Sequence, residues 1–206
     1  SEKTSEKDGN PHISVNNILL FAGVDGFRIT GLHVRNQRWW ALNFLWCRHG
    51  LLRDLDFLSD DTRIDEDGTE HRGLKWDNYS AVKVKNSDGI DLRAGCRDIL
   101  IENVTGFTED DTVALTGLWG KMEQRYAIPG LSSDICNVTV RNVNSAAYCS
   151  NVRLLNQSGI KMYNILIDGV MDASLGSDCM DRGGNGVRIG DVHLYGTRHS
   201  TEEETF

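Results

Sequence analysis

Three features are missing from this 206-residue chain, and each absence excludes a class of protein. The chain has no run of about 18 apolar residues, so it offers no membrane-spanning helix. Its five cysteines include no Cys-x-x-Cys pair, which argues against a zinc site or a disulfide framework. It has no excess of positive charge, since the net charge is −8. We therefore expect neither a membrane nor nucleic acid as a partner.

A six-residue template recurs along the chain: apolar, any, apolar, any, then Gly, Asp or Asn, then apolar. Gly, Asp and Asn tolerate a left-handed backbone at a tight bend, and alternating apolar residues are typical of strands. The gaps between successive bends include 22, 23 and 27 residues. Two strands joined by a bend at such a period describe one coil of a parallel β-solenoid. The six copies are residues 27–32, 50–55, 99–104, 138–143, 165–170 and 187–192.

A second set of strands precedes the template, which gives at least three strands per coil. The long gaps between copies hold charged or turn-rich stretches at residues 60–80 and 118–133, which we predict to be loop insertions. No amphipathic helix longer than a turn or two is indicated. The prediction is an all-β parallel β-helix that forms a single domain over residues 1–206. The second strand set comprises residues 40–44, 89–92, 112–115 and 151–154.

The spacing of three aspartates inside the repeat predicts a functional site. Asp88 is followed 22 and 23 residues later by Asp110 and Asp111, so a period near 22 places them on neighbouring coils. Adjacent strands are about 4.8 Å apart, and three carboxyl groups would share one patch. Such groups raise each other's pKa, which is unfavourable unless chemistry or a ligand uses them. The alternatives are acids that cap strand ends or bind a structural cation such as Ca²⁺.

Four segments occur in a fixed order: a Trp-x-Leu-Asn strand, an Asn-Ser-Asp-Gly-Ile-Asp segment, a Cys-x-Asp-Ile-x-Ile-x-Asn strand and a Glu-Asp-Asp-x-Val-Ala segment. This order resembles the family 28 glycoside hydrolases, the polygalacturonases and their relatives. The resemblance covers roughly residues 26–170 and implies a right-handed parallel β-helix, for which we expect about six to eight coils in this chain. The four segments lie at residues 40–47, 86–92, 96–103 and 109–115.

The resemblance implies inverting hydrolysis of a glycosidic bond without a metal or another cofactor. Asp110 matches the general acid, while Asp88 and Asp111 match the pair that holds and deprotonates a water. Acid and base groups in such a mechanism are roughly 6.5–9.5 Å apart. Neighbouring carboxylates would raise the pKa of the acid and keep it protonated. Asn86 would orient a neighbour or contact sugar hydroxyls.

Two family segments are altered in this chain. The family's Gly-His-Gly is replaced by Ala147-Tyr148-Cys149-Ser150, so the histidine is absent. The family's Arg-Ile-Lys, which binds a uronate carboxylate, corresponds to residues 176–182, whereas residues 187–190 imitate it but fit the template strand. Without the lysine, a neutral or differently decorated sugar is favoured over plain polygalacturonate. The candidates to supply positive charge are Arg153, Arg182 and Arg188.

Three further residues are predicted to contact a saccharide. Asp91 alternates with the apolar Ile90 and is expected to face outward. Trp119 follows the Asp110 strand on a loop expected to overhang the site, where its ring would stack on a sugar, and Trp76 is a similar candidate. Trp40 and Trp46 are expected to cover or fill the core. Stacked buried thiols are the simplest interpretation of Cys47, Cys96 and Cys136.

Three functions are consistent with these residues. The first is a secreted or periplasmic hydrolase acting on a pectic or related polysaccharide or oligosaccharide. The second is a non-catalytic carbohydrate-binding or structural β-helix, in which the three acids tolerate replacement. The third is a uronate lyase or epimerase, which requires Ca²⁺ or a basic proton acceptor near the acids. Relatives of the resembled family have more coils and an N-terminal cap, so one interpretation is that the chain is a fragment of a longer protein.

Overall fold

The computed structural model describes residues 17–37, 39–60, 63–71, 86–156, 159–174 and 184–190. These residues form fourteen strands and one short helix. The strands are β1 Leu19–Ala22, β2 Asp25–Thr30, β3 His33–Arg35, β4 Leu42–Leu45, β5 Arg48–Leu58, β6 Arg63–Ile64, β7 Glu70–His71, β8 Ile90–Leu92, β9 Arg97–Thr108, β10 Val113–Gly117, β11 Ile135–Ala147, β12 Ser150–Asn156, β13 Met162–Asp172 and β14 Asn185–Ile189. The helix α1 is Lys121–Tyr126.

Two parallel sheets build the body of the molecule. One sheet, here the site sheet, has the order β1-β4-β8-β10-β12-β14. The other, here the template sheet, has the order β13-β11-β9-β5-β2, with β3 also paired to β5. Along the chain the strands alternate between these sheets, so each coil lies on the one before it. This arrangement confirms the predicted all-β parallel β-helix.

Left-handed residues bend the template sheet at the predicted positions. The backbone has positive φ at five template bends, from 54° at Asn142 to 70° at Gly169. The bend side chains also stack between coils, because the Asn103 Nδ2 donates to Asp54 Oδ1 at 2.8 Å and the Asn142 Nδ2 donates to Asn103 Oδ1 at 3.2 Å. The five bends are at Gly31, Asp54, Asn103, Asn142 and Gly169.

The sixth template copy, residues 187–192, was assigned to the wrong sheet. β14 pairs with β12 in the site sheet, with Val187 opposite Val152 and Ile189 opposite Leu154. The physical reason is that apolar alternation has the same period of two in both sheets, so alternation alone cannot assign a strand to one of them. Arg188 therefore lies on the sheet that carries the acids, next to Arg153 in register.

Apolar residues of the site sheet point into the core, and the residues between them face the opposite side. Leu42, Ile90, Val113 and Val152 form one inward column in register, and all four are fully buried. The next residue of each strand faces away from the core. These residues also form a column in register, here called the outer column. It comprises Asn43, Asp91, Ala114, Arg153 and Arg188.

The segments at the predicted insertions contain short regular elements. Residues 63–71 hold the antiparallel pair β6 and β7, while residues 72–85, including Trp76, lie outside the described residues. The stretch 118–133 contains α1, whose Met122 packs into the core. Its Glu123 is also buried and reaches the site sheet, as described below. Among the residues that the structure describes, no helix has the length and apolar character needed to cross a bilayer.

Three cysteines are buried where the chain enters the template sheet, Cys47 and Cys96 just before a strand and Cys136 as the second residue of β11. Cys47 and Cys96 occupy equivalent positions on successive coils, since Arg48 and Arg97 pair in register. Cys136 is shifted by one residue, because it pairs with Arg97 itself. The Cys47 thiol donates to Leu45 O at 3.4 Å and the Cys96 thiol to Phe44 O at 3.3 Å, so these thiols serve packing. Cys179 and Arg182 lie outside the described part of the chain.

Candidate active site

The structure brings the three predicted aspartates together. Asp88 lies two residues before β8, and Asp110 and Asp111 lie three and two residues before β10 on the next coil. The ladder between these coils fixes their register, because the Gly89 N–H donates to Asp111 O at 3.0 Å. One carboxylate oxygen from each aspartate lies within 4.8 Å of the other two. The spacing of 22 and 23 residues therefore predicted the cluster correctly.

Two reciprocal hydrogen bonds hold together the two segments that carry these acids. The Ser87 N–H donates to Glu109 Oε2 at 3.3 Å, and the Glu109 N–H donates to Ser87 Oγ at 3.2 Å. In addition, the hydroxyl oxygen of Thr112 lies 2.9 Å from the hydroxyl oxygens of both Thr108 and Ser145. These bonds link three successive coils, so the backbone beneath the acids is fixed before any ligand arrives.

The three carboxyl groups differ in exposure. Asp88 and Asp111 are 5% and 2% exposed, whereas Asp110 is only partly buried. Within the described structure, Asp88 Oδ1 and Asp111 Oδ1 are buried and have no hydrogen-bond partner. Buried polar atoms are nearly always paired, so these two oxygens are positioned to hold a ligand or a water.

Burial and mutual repulsion shift the protonation of the cluster towards the neutral acids. Burial, followed by the charge of Asp110, raises the pKa of Asp88 well above its usual range. Burial and Asp110 also raise the pKa of Asp111 to about 7, although Arg153 opposes this shift. The cluster therefore holds protons near neutral pH, as a site for acid and base catalysis requires.

An open pocket of about 130 Å³ lies over the acids. Since a water occupies about 30 Å³ in the liquid, the pocket has room for about four waters. Of the predicted substrate contacts, Asn86, Asp91 and Arg153 line it. The remaining lining residues are Trp39, Trp40, Asp88, Arg93, Asp110, Asp111, Thr116, Leu118 and Leu155.

Arg153 is the cation nearest to the catalytic candidates. It is 4% exposed and its Nη1 lies 3.4 Å from Asp111 Oδ2. Arg188 follows it in the outer column, one coil further along, but is not among the residues that line the pocket. The two arginines thus extend positive charge from the acids towards the C-terminal coils.

Trp119 is not brought to the acids. Its side chain is 41% exposed, and its ring meets the edge of Trp46 with centroids 5.8 Å apart. Trp46 is buried in the core as predicted, while Trp40 is half-buried, packs against the core and also lines the pocket.

Sequence reasoning missed Arg93 and its surroundings. The Arg93 Nε–H donates to Glu123 Oε1 of α1 at 2.5 Å, and the guanidinium carbon lies 4.3 Å from the centre of the Trp40 ring. One signal was available, because Arg93 is two residues beyond Asp91 and should share its face of the strand. Nothing in the sequence pattern indicated that Glu123, 30 residues away, would supply the partner.

Cys149 occupies the segment that replaces the family's Gly-His-Gly. Its thiol hydrogen-bonds to Asp110, and burial followed by the charges of Asp110 and Asp111 raises the pKa of the thiol. The thiol therefore stays protonated and donates to the carboxylate, so Cys149 positions Asp110 and does not act as a nucleophile.

The donor set also fits a hard cation. Ca²⁺ binds oxygens at 2.3–2.6 Å, so oxygens sharing one ion are at most about 5 Å apart. Asp88, Asp110 and Asp111 meet this limit. However, Arg153 already places a positive charge beside Asp111, which disfavours a second cation there.

Comparison with known proteins returned no match, whether with protein-family models, curated proteins or solved structures.

Proposed function

We propose that the protein hydrolyses a glycosidic bond in a pectic or related polysaccharide with inversion, by a three-aspartate site like that of the family 28 glycoside hydrolases. The buried cluster of Asp88, Asp110 and Asp111 carries this proposal. Carboxyl groups that cluster in a pocket and have raised pKa values can serve as the acid and the base in hydrolysis of an acetal.

Asp110 is the general acid. It is the most exposed member of the cluster, so the leaving oxygen of a bound glycoside can reach it. Its carboxyl proton passes to that oxygen as the bond to the anomeric carbon breaks. The thiol of Cys149 orients the group, while the mutual repulsion of the three acids favours a proton at the cluster.

Asp88 and Asp111 hold the attacking water. The buried oxygens Asp88 Oδ1 and Asp111 Oδ1, which lack partners in the described structure, can accept its two O–H groups. The water oxygen then bonds to the anomeric carbon, and one of the two carboxylates takes its proton. Asp111 serves as the base, because Arg153 favours its ionised form and the charge of Asp110 that raises its pKa is absent while Asp110 holds the proton.

The separation of the acids bears on the stereochemical outcome. Each carboxyl carbon lies about 1.2 Å behind its oxygen, so oxygens within 4.8 Å of one another leave carbons up to about 7 Å apart. This range includes both the roughly 5–5.5 Å of retaining enzymes and the lower end of the inverting range. Inversion is proposed because two carboxylates can hold the water, and the product anomer tests it.

A second candidate is a Ca²⁺-dependent uronate lyase or epimerase, which the oxygen donor set favours. The two functions are separated by reducing-sugar release from a panel of pectic and neutral plant polysaccharides, with and without EDTA. We expect release that is unchanged by EDTA. Activity lost with EDTA and restored by Ca²⁺, together with an unsaturated product, would support the lyase instead.

The substrate also bears on location. A polymer of the plant cell wall is met outside the cytoplasm, so the proposal includes a secreted or periplasmic protein. The rival is a non-catalytic saccharide-binding or structural β-helix, for which the polysaccharide panel shows no cleavage while the folded protein still binds or assembles.

A further inference from the structure

Asp91 and Arg93 form a second polar pair in the pocket, beside the catalytic candidates. Both side chains line the pocket, and they are only 1% and 4% exposed. Among the described residues, Asp91 Oδ2 and Arg93 Nη1 have no hydrogen-bond partner. A buried acceptor and a buried donor left unpaired in one pocket indicate that a ligand supplies the complementary groups.

Arg93 is held rigidly for this purpose. The Glu123 carboxylate fixes its Nε from one side, and the face of Trp40 supports the guanidinium. Glu123 is in turn fixed by the Gly120 N–H, which donates to its Oε2 at 2.9 Å. A donor oriented in this way loses little entropy when it binds a ligand.

The charges around the pair exclude an anionic group. The charge of Arg93 is already balanced by Glu123, and the other cation of the pocket, Arg153, lies beside Asp111. Four aspartates already line the same pocket and raise each other's pKa, so a uronate carboxylate placed here would add to an unfavourable crowding of acidic groups. A neutral hydroxyl group can both accept from a guanidinium and donate to a carboxyl group.

We propose that Asp91 and Arg93 form a subsite for a neutral sugar ring, whose hydroxyls donate to Asp91 and accept from Arg93. This inference rests on the proposed function and specifies the substrate as a glycan with a neutral residue next to the cleaved bond. In the outer column Asp91 is followed by Ala114 and then Arg153. The subsite therefore lies on the side of the acids that faces away from Arg153 and Arg188.

The test uses the whole protein carrying Asp110→Asn, so that binding is measured without turnover. The probes are immobilised oligogalacturonates, neutral oligomers of galactose, arabinose, xylose or glucose, and oligomers that mix uronate and neutral rings. Arg93→Lys preserves the charge opposite Glu123 but removes the second guanidinium nitrogen, and Asp91→Asn preserves the side-chain size. Arg141→Lys is the matched control, since Arg141 pairs with Glu102 on the template sheet.

We expect binding to require a neutral ring, with oligogalacturonates bound at least tenfold more weakly. Adding Arg93→Lys or Asp91→Asn should weaken binding by about tenfold or more, because each removes or weakens a hydrogen bond involving a charged group. Arg141→Lys should leave it unchanged. A urea titration checks that each variant folds, and Asp91→Asn decides the matter if Arg93→Lys does not fold.

The outcomes separate this inference from the proposed function. Binding that prefers oligogalacturonates, or that is unaffected by both subsite variants, overturns the subsite while hydrolysis by the wild type still stands. Neutral-glycan binding that both variants weaken, in a protein whose hydrolysis does not depend on Asp110, retains the subsite and overturns the catalytic assignment. Binding to none of the probes counts against the subsite.

Discussion

Asp110→Asn is expected to lower the initial rate of glycoside hydrolysis by about 10³-fold, within the range for loss of a general acid. The asparagine has nearly the same size but carries no transferable proton, so the leaving oxygen departs as an unstable alkoxide. Binding should persist, because asparagine keeps the size of the Asp110 side chain and the other residues that line the pocket are unchanged. The expected signature is a fall in kcat with little change in KM.

The measurement is the rate of reducing-sugar release on the best substrate of the polysaccharide panel. Asp168→Asn is the matched control, because Asp168 is an exposed acid on β13 of the template sheet. The control should retain the wild-type rate. A mutant that is folded and retains more than about a tenth of the wild-type kcat would show that Asp110 is not the acid.

Protein stability is expected to fall as the pH rises from about 4 to 7, in contrast to a protein dominated by surface ion pairs. In the folded state the pKa of Asp111 is raised to about 7 from its ordinary value of 3.8. Between these values the folded state binds a proton that the unfolded state has lost, so rising pH favours unfolding. A shift of this size corresponds to a loss on the order of 4 kcal/mol.

Two other aspartates change the stability in the same direction as Asp111, whereas Asp25 changes it at lower pH. Burial and neighbouring acids raise the pKa of Asp88 and Asp91 as well, and both add to the loss of stability at higher pH. Hydrogen bonds from Arg48 and His49 instead lower the pKa of Asp25, so its contribution disappears only below about pH 4. Mildly acidic solution should therefore be the most stable condition.

Urea midpoints at several pH values between 4.5 and 8 measure this effect. Asp111→Asn should flatten the dependence, even though loss of the Asp111 charge beside Arg153 lowers stability at a pH where Asp111 is ionised. Asp168→Asn should leave the slope unchanged. A wild-type midpoint that is constant or rises between pH 5 and 8 would show that the acids are ionised in the folded protein without penalty.

The fold was predictable from the sequence because its signals are local. Bend residues such as Asn103 and Asn142 recur at coil spacing, and their positive φ values follow from residue type. The assignment of β14 to the wrong sheet has a local cause as well. Val187 and Ile189 alternate with polar residues in the same way as the strands of the template sheet. Only the pairing with β12 resolves the assignment.

The candidate site was predictable in part for the same reason. Asp88, Asp110 and Asp111 are separated by one coil, so the period places them together. The Arg93 and Glu123 pair depends instead on how α1 folds over the site sheet, which no repeat encodes. Trp119 illustrates the same limit, because the path of its loop directs the ring to Trp46 and not to the acids.

The central claim is that three aspartates cleave a glycosidic bond by direct attack of water. Proton NMR of the first product formed by the wild-type protein, recorded before mutarotation, tests it most directly. The account predicts a new reducing end of inverted anomeric configuration, absent in Asp110→Asn. A product that retains its configuration would contradict direct attack, and an unsaturated product or no cleavage of any glycan by the folded protein would contradict hydrolysis itself.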